Sequence, residues 1–249
     1  MQLDVAFLPA DVRNVRSSVC IVIDALRATS TLATLFGHGV SEVVVAGTID
    51  EARRIHADLP DALLCGESGG LPPEGFDYGN SPVEFETLDL AGRRVILATS
   101  NGTRALAILA GARAVFTGSL LNLTACVGTA RALAGTDRVT VVCSGIDLGT
   151  RFSLEDAVVA GAFIEQLVAL TREASSENEP DLSDTAITAL RLWRSYPAGA
   201  RRAFEEASHG RILIGLGMSD DLDRCAELNR YHVAPRLTVT DTGLLVLMP

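Results

Sequence analysis

The amino-acid sequence predicts an α/β protein, a three-layer α/β/α arrangement around a largely parallel sheet. Three observations carry the prediction. Short apolar runs recur along the chain, mostly β-branched and without polar alternation, as in strands buried on both faces. Helical patterns lie between those runs, which is the order of a layered α/β fold. The chain has 249 residues, 48% hydrophobic and 21% charged, enough apolar material for a large core in one domain or for two small lobes.

The predicted strands are 4–8, 19–23, 42–46, 62–65, 94–98, 114–117 and 139–143. Between them lie predicted helices at 29–36, 49–58, 103–109, 123–133 and 154–170. The stretch 171–184 is polar and acidic and reads as a flexible loop. Helical sequence resumes at 185–194, and Pro197 separates it from a second helix running through Glu206. Residues 237–247 read as a hairpin turning at Asp241-Thr242-Gly243. We take 1–249 as a single domain with two candidate halves, about 1–125 and 126–249. Residues 21–47 and 95–118 echo each other as strand, polar loop, helix, Gly and strand. Two readings of that echo stand: an ancient duplication, or the general likeness of β-loop-α-β units.

Composition removes several function classes. A net charge of −10 argues against a nucleic-acid backbone or an anionic membrane as partner. The apolar runs are too short to span a bilayer, and no basic segment precedes the apolar residues of 1–9, so neither anchor nor secretory signal is expected. Five widely spaced cysteines without a Cys-x-x-Cys pair fit a reduced, cytoplasmic protein. All 21 basic residues are arginine. Without lysine there is no Schiff-base or pyridoxal phosphate chemistry and no Gly-Lys-[Ser/Thr] phosphate loop. A bound phosphate must be held by arginine, backbone N–H groups or a metal.

Four loops could carry chemistry. In Ile23-Asp24-Ala25-Leu26-Arg27-Ala28-Thr29, Asp24 follows a buried strand, where open α/β sheets bind ligands. Arg27 and Thr29 then open a helix, an arrangement that favours an anion, although Thr29 alone is explained as a helix cap. In Gly66-Glu67-Ser68-Gly69-Gly70 a second strand ends on a carboxylate, Glu67, and Asn80 and Ser81 follow as binding candidates. Ser81 is equally a plain N-cap before Pro82. Asn101, Gly102 and Thr103 sit between a strand and a helix, where small residues can cradle phosphate. Finally, Ser153 and Asp156 fit a capping box, while Glu155 and Asp156 together suit a hard cation. Cys143 does not fit a cysteine phosphatase: the next arginine, Arg151, is eight residues on rather than six, so a buried, inert thiol is expected. The acids of Met218-Ser219-Asp220-Asp221 read as a favourable first helical turn, and the four histidines as surface or loop residues without metal spacing.

Taken in order, Ile-Asp-Ala-Leu-Arg-Ala-Thr-Ser-Thr at 23–31, Gly-Glu at 66–67, Phe-Asp-Tyr-Gly-Asn-Ser-Pro at 76–82, Ser-Asn-Gly-Thr at 100–103, Gly-Ser-Leu-Leu-Asn at 118–122 and Glu-Asp-Ala at 155–157 resemble the 2-phosphosulfolactate phosphatase family. The combination covers about 19–235, with departures at 175–184 and 229–235. The resemblance implies an α/β/α fold, Mg²⁺ dependence, and hydrolysis of 2-phosphosulfolactate to sulfolactate and phosphate, a step of coenzyme M biosynthesis. On that basis Asp24, Arg27 and Glu67 are the catalytic candidates. Asp24 with Glu67 or Asp156 would hold Mg²⁺. Thr29, Asn80, Ser81, Asn101, Gly102, Thr103 and Arg151 are the candidates for binding a small anionic phosphorylated substrate. A covalent aspartyl-phosphate at Asp24 ranks lower, because the second Asp of the haloacid-dehalogenase pattern is replaced by Leu26. The alternatives are a phosphatase for another phosphorylated hydroxy acid and a non-catalytic organophosphate-binding module. A homodimer is the expected assembly.

Overall fold

A computed structural model describes residues 1–174 and 179–249. Ten strands form one sheet: β1 (Gln2–Ala6), β2 (Val19–Ile23), β3 (Glu42–Ala46), β4 (Leu63–Gly66), β5 (Arg94–Ala98), β6 (Ala114–Gly118), β7 (Arg138–Cys143), β8 (Asp181–Leu182), β9 (Arg236–Val239) and β10 (Leu245–Met248), in the order β4-β5-β3-β10-β9-β6-β2-β7-β1-β8. The helices are α1 (Ala28–Gly37), α2 (Ile49–Asp58), α3 (Pro82–Phe85), α4 (Gly102–Leu109), α5 (Leu123–Ala134), α6 (Leu154–Ala174), α7 (Asp184–Arg194), α8 (Arg201–Glu206), α9 (Ser208–Gly215) and α10 (Ser219–Cys225). The fold is α/β with a mostly parallel sheet packed by helices, as the sequence predicts.

Two parallel groups, β4-β5-β3 and β6-β2-β7-β1-β8, make up the sheet. The antiparallel hairpin β9–β10 joins them, pairing with β3 along Leu245↔Val45 to Leu247↔Val43 and with β6 at Phe116↔Arg236. Its turn falls at the predicted Asp241-Thr242-Gly243, with Gly243 at φ 83° and the Gly243 N–H donating to the Thr240 carbonyl at 2.9 Å. The chain crosses between the groups twice. It passes from β2 through α1 to β3, and returns from β5 through α4 to β6. These are the two segments that echo each other in sequence.

The uninterrupted apolar strands are buried on both faces, for the reason the pattern suggests. Along β2, Cys20 and Val22 enter one core cluster and Val19, Ile21 and Ile23 another. The first cluster also holds Leu32 and Leu35 of α1, Leu106 of α4, Val43 of β3 and Val95 of β5, so the crossing helices lie in a core shared by both groups.

Between 171 and 184 the structure differs from the expected loop. Helix α6 continues to Ala174 with Thr171 buried, and Asp181–Leu182 pairs parallel with β1. The Thr171 hydroxyl donates to the Leu167 carbonyl at 2.7 Å, which keeps this polar residue helical. Residues 175–178 of that stretch lie outside the described residues. Helix α6 also approaches α7 closely enough that a Cβ on Gly161 would stand 2.7 Å from the carbonyl carbon of Ala189 and from Trp193 Cβ. Gly161→Ala should therefore destabilise the fold by about 2 kcal/mol despite alanine's better helix propensity. A lower urea midpoint with an unchanged m-value is the expected readout.

Candidate active site

The carboxyl ends of β2, β4, β5 and β7 deliver the predicted loops to one place. Asp24 leaves β2 almost fully buried and caps the next helix: its Oδ1 accepts from Ala28 N at 3.3 Å. Thr29 locks the loop from within, its hydroxyl donating to the Asp24 carbonyl at 3.0 Å and accepting from Asp24 N at 3.1 Å. A Cβ on Gly102 would lie 2.8 Å from both Asp24 Oδ2 and Ala28 Cβ. Glycine is what allows the start of α4 to press against this carboxylate.

Asp156 ties two loops together. Its Oδ1 accepts from Ala25 N at 2.9 Å and its Oδ2 from Gly145 N at 3.1 Å, while its own N–H donates to Ser153 Oγ at 3.2 Å, as the capping box predicts. Glu155 beside it is also buried. Glu67 makes a matching brace after β4, with Oε2 accepting from Gly70 N at 2.9 Å and Oε1 from Ser100 N at 2.8 Å. Two adjoining cavities of about 340 and 190 Å³ share Glu67, Ser100 and Leu148 in their walls.

Burial and mutual crowding favour the protonated forms of Asp24, Glu155 and Asp156. Burial, then the charge of Glu67, push Asp24 up from 3.8 to about 7, against the pull of the Ala28 N–H and with Glu155 adding to the push. Burial, then Asp24 and Glu155, raise Asp156 well above the ordinary range, and burial raises Glu155. Among the described residues no three His, Cys, Asp or Glu side chains converge as a ready metal cluster. Asp24, Glu67 and Asp156 are thus brought to one region without forming a three-ligand cage.

Arg27 is placed differently from a free phosphate clamp. It is buried, its Nη1 donates to Asp221 Oδ2 at 2.7 Å, and its Nη2 donates to the Gly70 carbonyl at 2.7 Å. Ser81 Oγ donates to the other Asp221 oxygen at 2.5 Å and also caps α3. Asp221, read in sequence as a mere first-turn acid, is the buried centre of this network. Asn80 is buried, its carbonyl accepting from Thr31 Oγ1 at 2.9 Å and its Oδ1 without a partner. Thr103 turns inward, its hydroxyl donating to the Thr99 carbonyl at 2.8 Å. Asn101 lines the larger cavity and accepts from Leu148 N at 3.0 Å. Arg151 stands on the surface, paired with Asp147 at 2.7 Å, and lines neither cavity. Cys143 is buried and its thiol is pushed well up by burial and by Asp156 and Glu155, which fits an inert cysteine.

His209, taken from sequence as a surface or loop residue, lines the larger cavity with Ser208 at the start of α9. Burial lowers its pKa, Glu67 opposes that, and Arg27 adds to it. No local pattern marks it: the cavity is closed by an element some 140 residues after Glu67 in the chain.

Carboxylates and helix N-termini gathered at strand ends, with cavities beside them, make an α/β enzyme site suited to an anionic substrate. A sequence model of the family described as 2-phosphosulpholactate phosphatase matches residues 7–240. A protein of Carboxydothermus hydrogenoformans, named a probable 2-phosphosulfolactate phosphatase, is 36% identical over 99% of this chain and 97% of its own length. Proteins of the same name from Gloeobacter violaceus (36% identical; 99% of this chain, 98% of its own) and Deinococcus radiodurans (38%; 90% and 89%) are similar too. The chain belongs to the 2-phosphosulfolactate phosphatase family, and thus to the phosphoric monoester hydrolases. It is an enzyme rather than a non-catalytic binding module.

The site's charge has a consequence for stability. A carboxyl whose folded-state pKa is raised favours the protonated folded form, so stability falls as pH rises from about 4 through about 7 and the deficit persists above. In cation-free buffer the wild-type urea midpoint should decline across that window. Asp24→Asn, which cannot ionise, should flatten the decline; an identical slope in both proteins contradicts the assignment.

Proposed function

We propose that this chain is a Mg²⁺-dependent phosphatase that hydrolyses 2-phosphosulfolactate, a small ester carrying phosphate, sulfonate and carboxylate, to sulfolactate and phosphate. The reading includes a cytoplasmic place in coenzyme M biosynthesis. What carries it is the crowding of Asp24 and Glu67, at strand ends, with Glu155 and Asp156, in the first turn of α6, in a chain of this family. An unneutralised acidic cluster repels an anionic ester, so the same crowding that raises Asp24 calls for a cation.

The residues fit such an ion. Asp24 with Glu67 or Asp156 would hold Mg²⁺, which needs few carboxylates and keeps its waters. Glu67 and Asp156 each also accept backbone amides on both oxygens and so brace the loops around Asp24. When bound, the ion would neutralise phosphoryl charge and polarise the P–O bond. The protein's own part is positioning. The N-termini of α1 and α4 flank Asp24 and favour an anion there. Arg27, through Asp221 and the Gly70 carbonyl, fixes the Gly70 loop on which Glu67 also bears. Among the described residues no helix is long and apolar enough to cross a membrane, all five cysteines are free, and no feature supports the expected homodimer.

Phosphate release from a panel of esters, with Mg²⁺ or excess EDTA, tests the proposal. We expect turnover to require the cation and kcat/KM to be highest for 2-phosphosulfolactate; a better substrate among other phosphorylated hydroxy acids would reassign the ester, and undiminished turnover in EDTA would remove the metal. Asp24→Asn should lower kcat by at least about a hundredfold, roughly 3 kcal/mol, while remaining folded. Cys143→Ser should keep most of the activity, and thiol alkylation should not inhibit; a trapped phosphocysteine would overturn the metal-based reading.

A further inference from the structure

An ester with three acidic groups needs more positive charge than one cation provides, and the arginines first in line are occupied. Arg27 is buried against Asp221 and the Gly70 carbonyl. Arg151 is on the surface with Asp147. Arg104, in the first turn of α4, is in another situation. It lines the cavity of about 190 Å³ with Glu67, Ser68, Thr99 and Ser100, and no other arginine or lysine lines either cavity of the site among the described residues. It is exposed, and among the described residues its guanidinium makes no ion pair and no hydrogen bond.

Resting on the phosphatase reading, we propose that Arg104 is a substrate-binding residue that grips the acid group not transferred in the reaction, the carboxylate or sulfonate of the ester, and so selects multiply anionic substrates. The placement follows from α4. Gly102 begins the helix against Asp24, the residue that the phosphatase reading sets beside the phosphoryl group, and Arg104 follows two residues later in the wall of the cavity lined by Glu67 and Ser100. A guanidinium presents a planar pair of donors that matches a carboxylate or sulfonate. It does so here without first having to break an internal ion pair. Glu67 lines the same cavity, so an anionic tail there without a cationic partner would be repelled.

The test compares 2-phosphosulfolactate with phenyl phosphate, which has no second acid group, in wild type, Arg104→Gln and Arg104→Lys. Arg104→Gln should raise KM for 2-phosphosulfolactate at least about tenfold with kcat little changed, should leave phenyl phosphate kinetics alone, and should be partly rescued by Arg104→Lys. Equal losses on both esters, or none on either, overturn the inference. Calorimetric binding of sulfolactate separates it from the reading beneath it. If wild type releases no phosphate but binds sulfolactate more tightly than Arg104→Gln, hydrolysis fails and the clamp stands. If wild type and variant bind sulfolactate equally, the clamp fails whatever the turnover.

Discussion

Asp156 holds the site together by accepting two backbone N–H groups from loops far apart in sequence, those of Ala25 after β2 and Gly145 after β7. A buried carboxylate is expensive unless its oxygens are bonded. Here the bonds are to main chain, so the cost is offset only when both loops are correctly placed. Around that brace Thr29 fixes Asp24, and Gly102 allows α4 to close on it. Glu67 repeats the device on the other side with Gly70 and Ser100. The acidity of the site is then a by-product of its construction: carboxylates that organise loops also crowd one another, which is the electrostatic demand that the proposed cation would meet.

The same economy of parts explains why so much of the architecture was legible. Strands such as Val19–Ile23 and Glu42–Ala46 advertise double burial through β-branched runs, and their bounds match the prediction. Asp24, Glu67 and Asp156 were legible as strand-end or helix-start acids, and the structure does bring them together. Thr29 and Thr103 carry sequence signals that fit either a ligand cradle or a cap, and their hydroxyls are found bonded to nearby carbonyls.

What the sequence concealed depends on distance along the chain. Asp221 looks like an ordinary first-turn acid, and only the fold sets it against Arg27 and Ser81, more than a hundred residues earlier. That pairing also turns Arg27 from an apparent ligand into a strut. His209 is similar: nothing around Ser208-His209-Gly210 distinguishes it until α9 is laid across the cavity from Glu67. Arg151 errs the other way, near the site in sequence but directed to the surface by its pairing with Asp147. The two-residue strand β8 is too short to carry a periodicity at all.

The hairpin β9–β10 bears on how the protein is made. It is the only link in the sheet between the two parallel groups among the described residues, and it follows every other element in chain order. During synthesis β3 and β6 therefore emerge from the ribosome long before the strands that cover them, with unpaired edges of apolar residues such as Val43, Val45 and Phe116. The crossing helices α1 and α4 can already bind the groups to each other through their shared core. Closing the sheet between the two groups thus waits on β9 and β10, which come after all the strands they join.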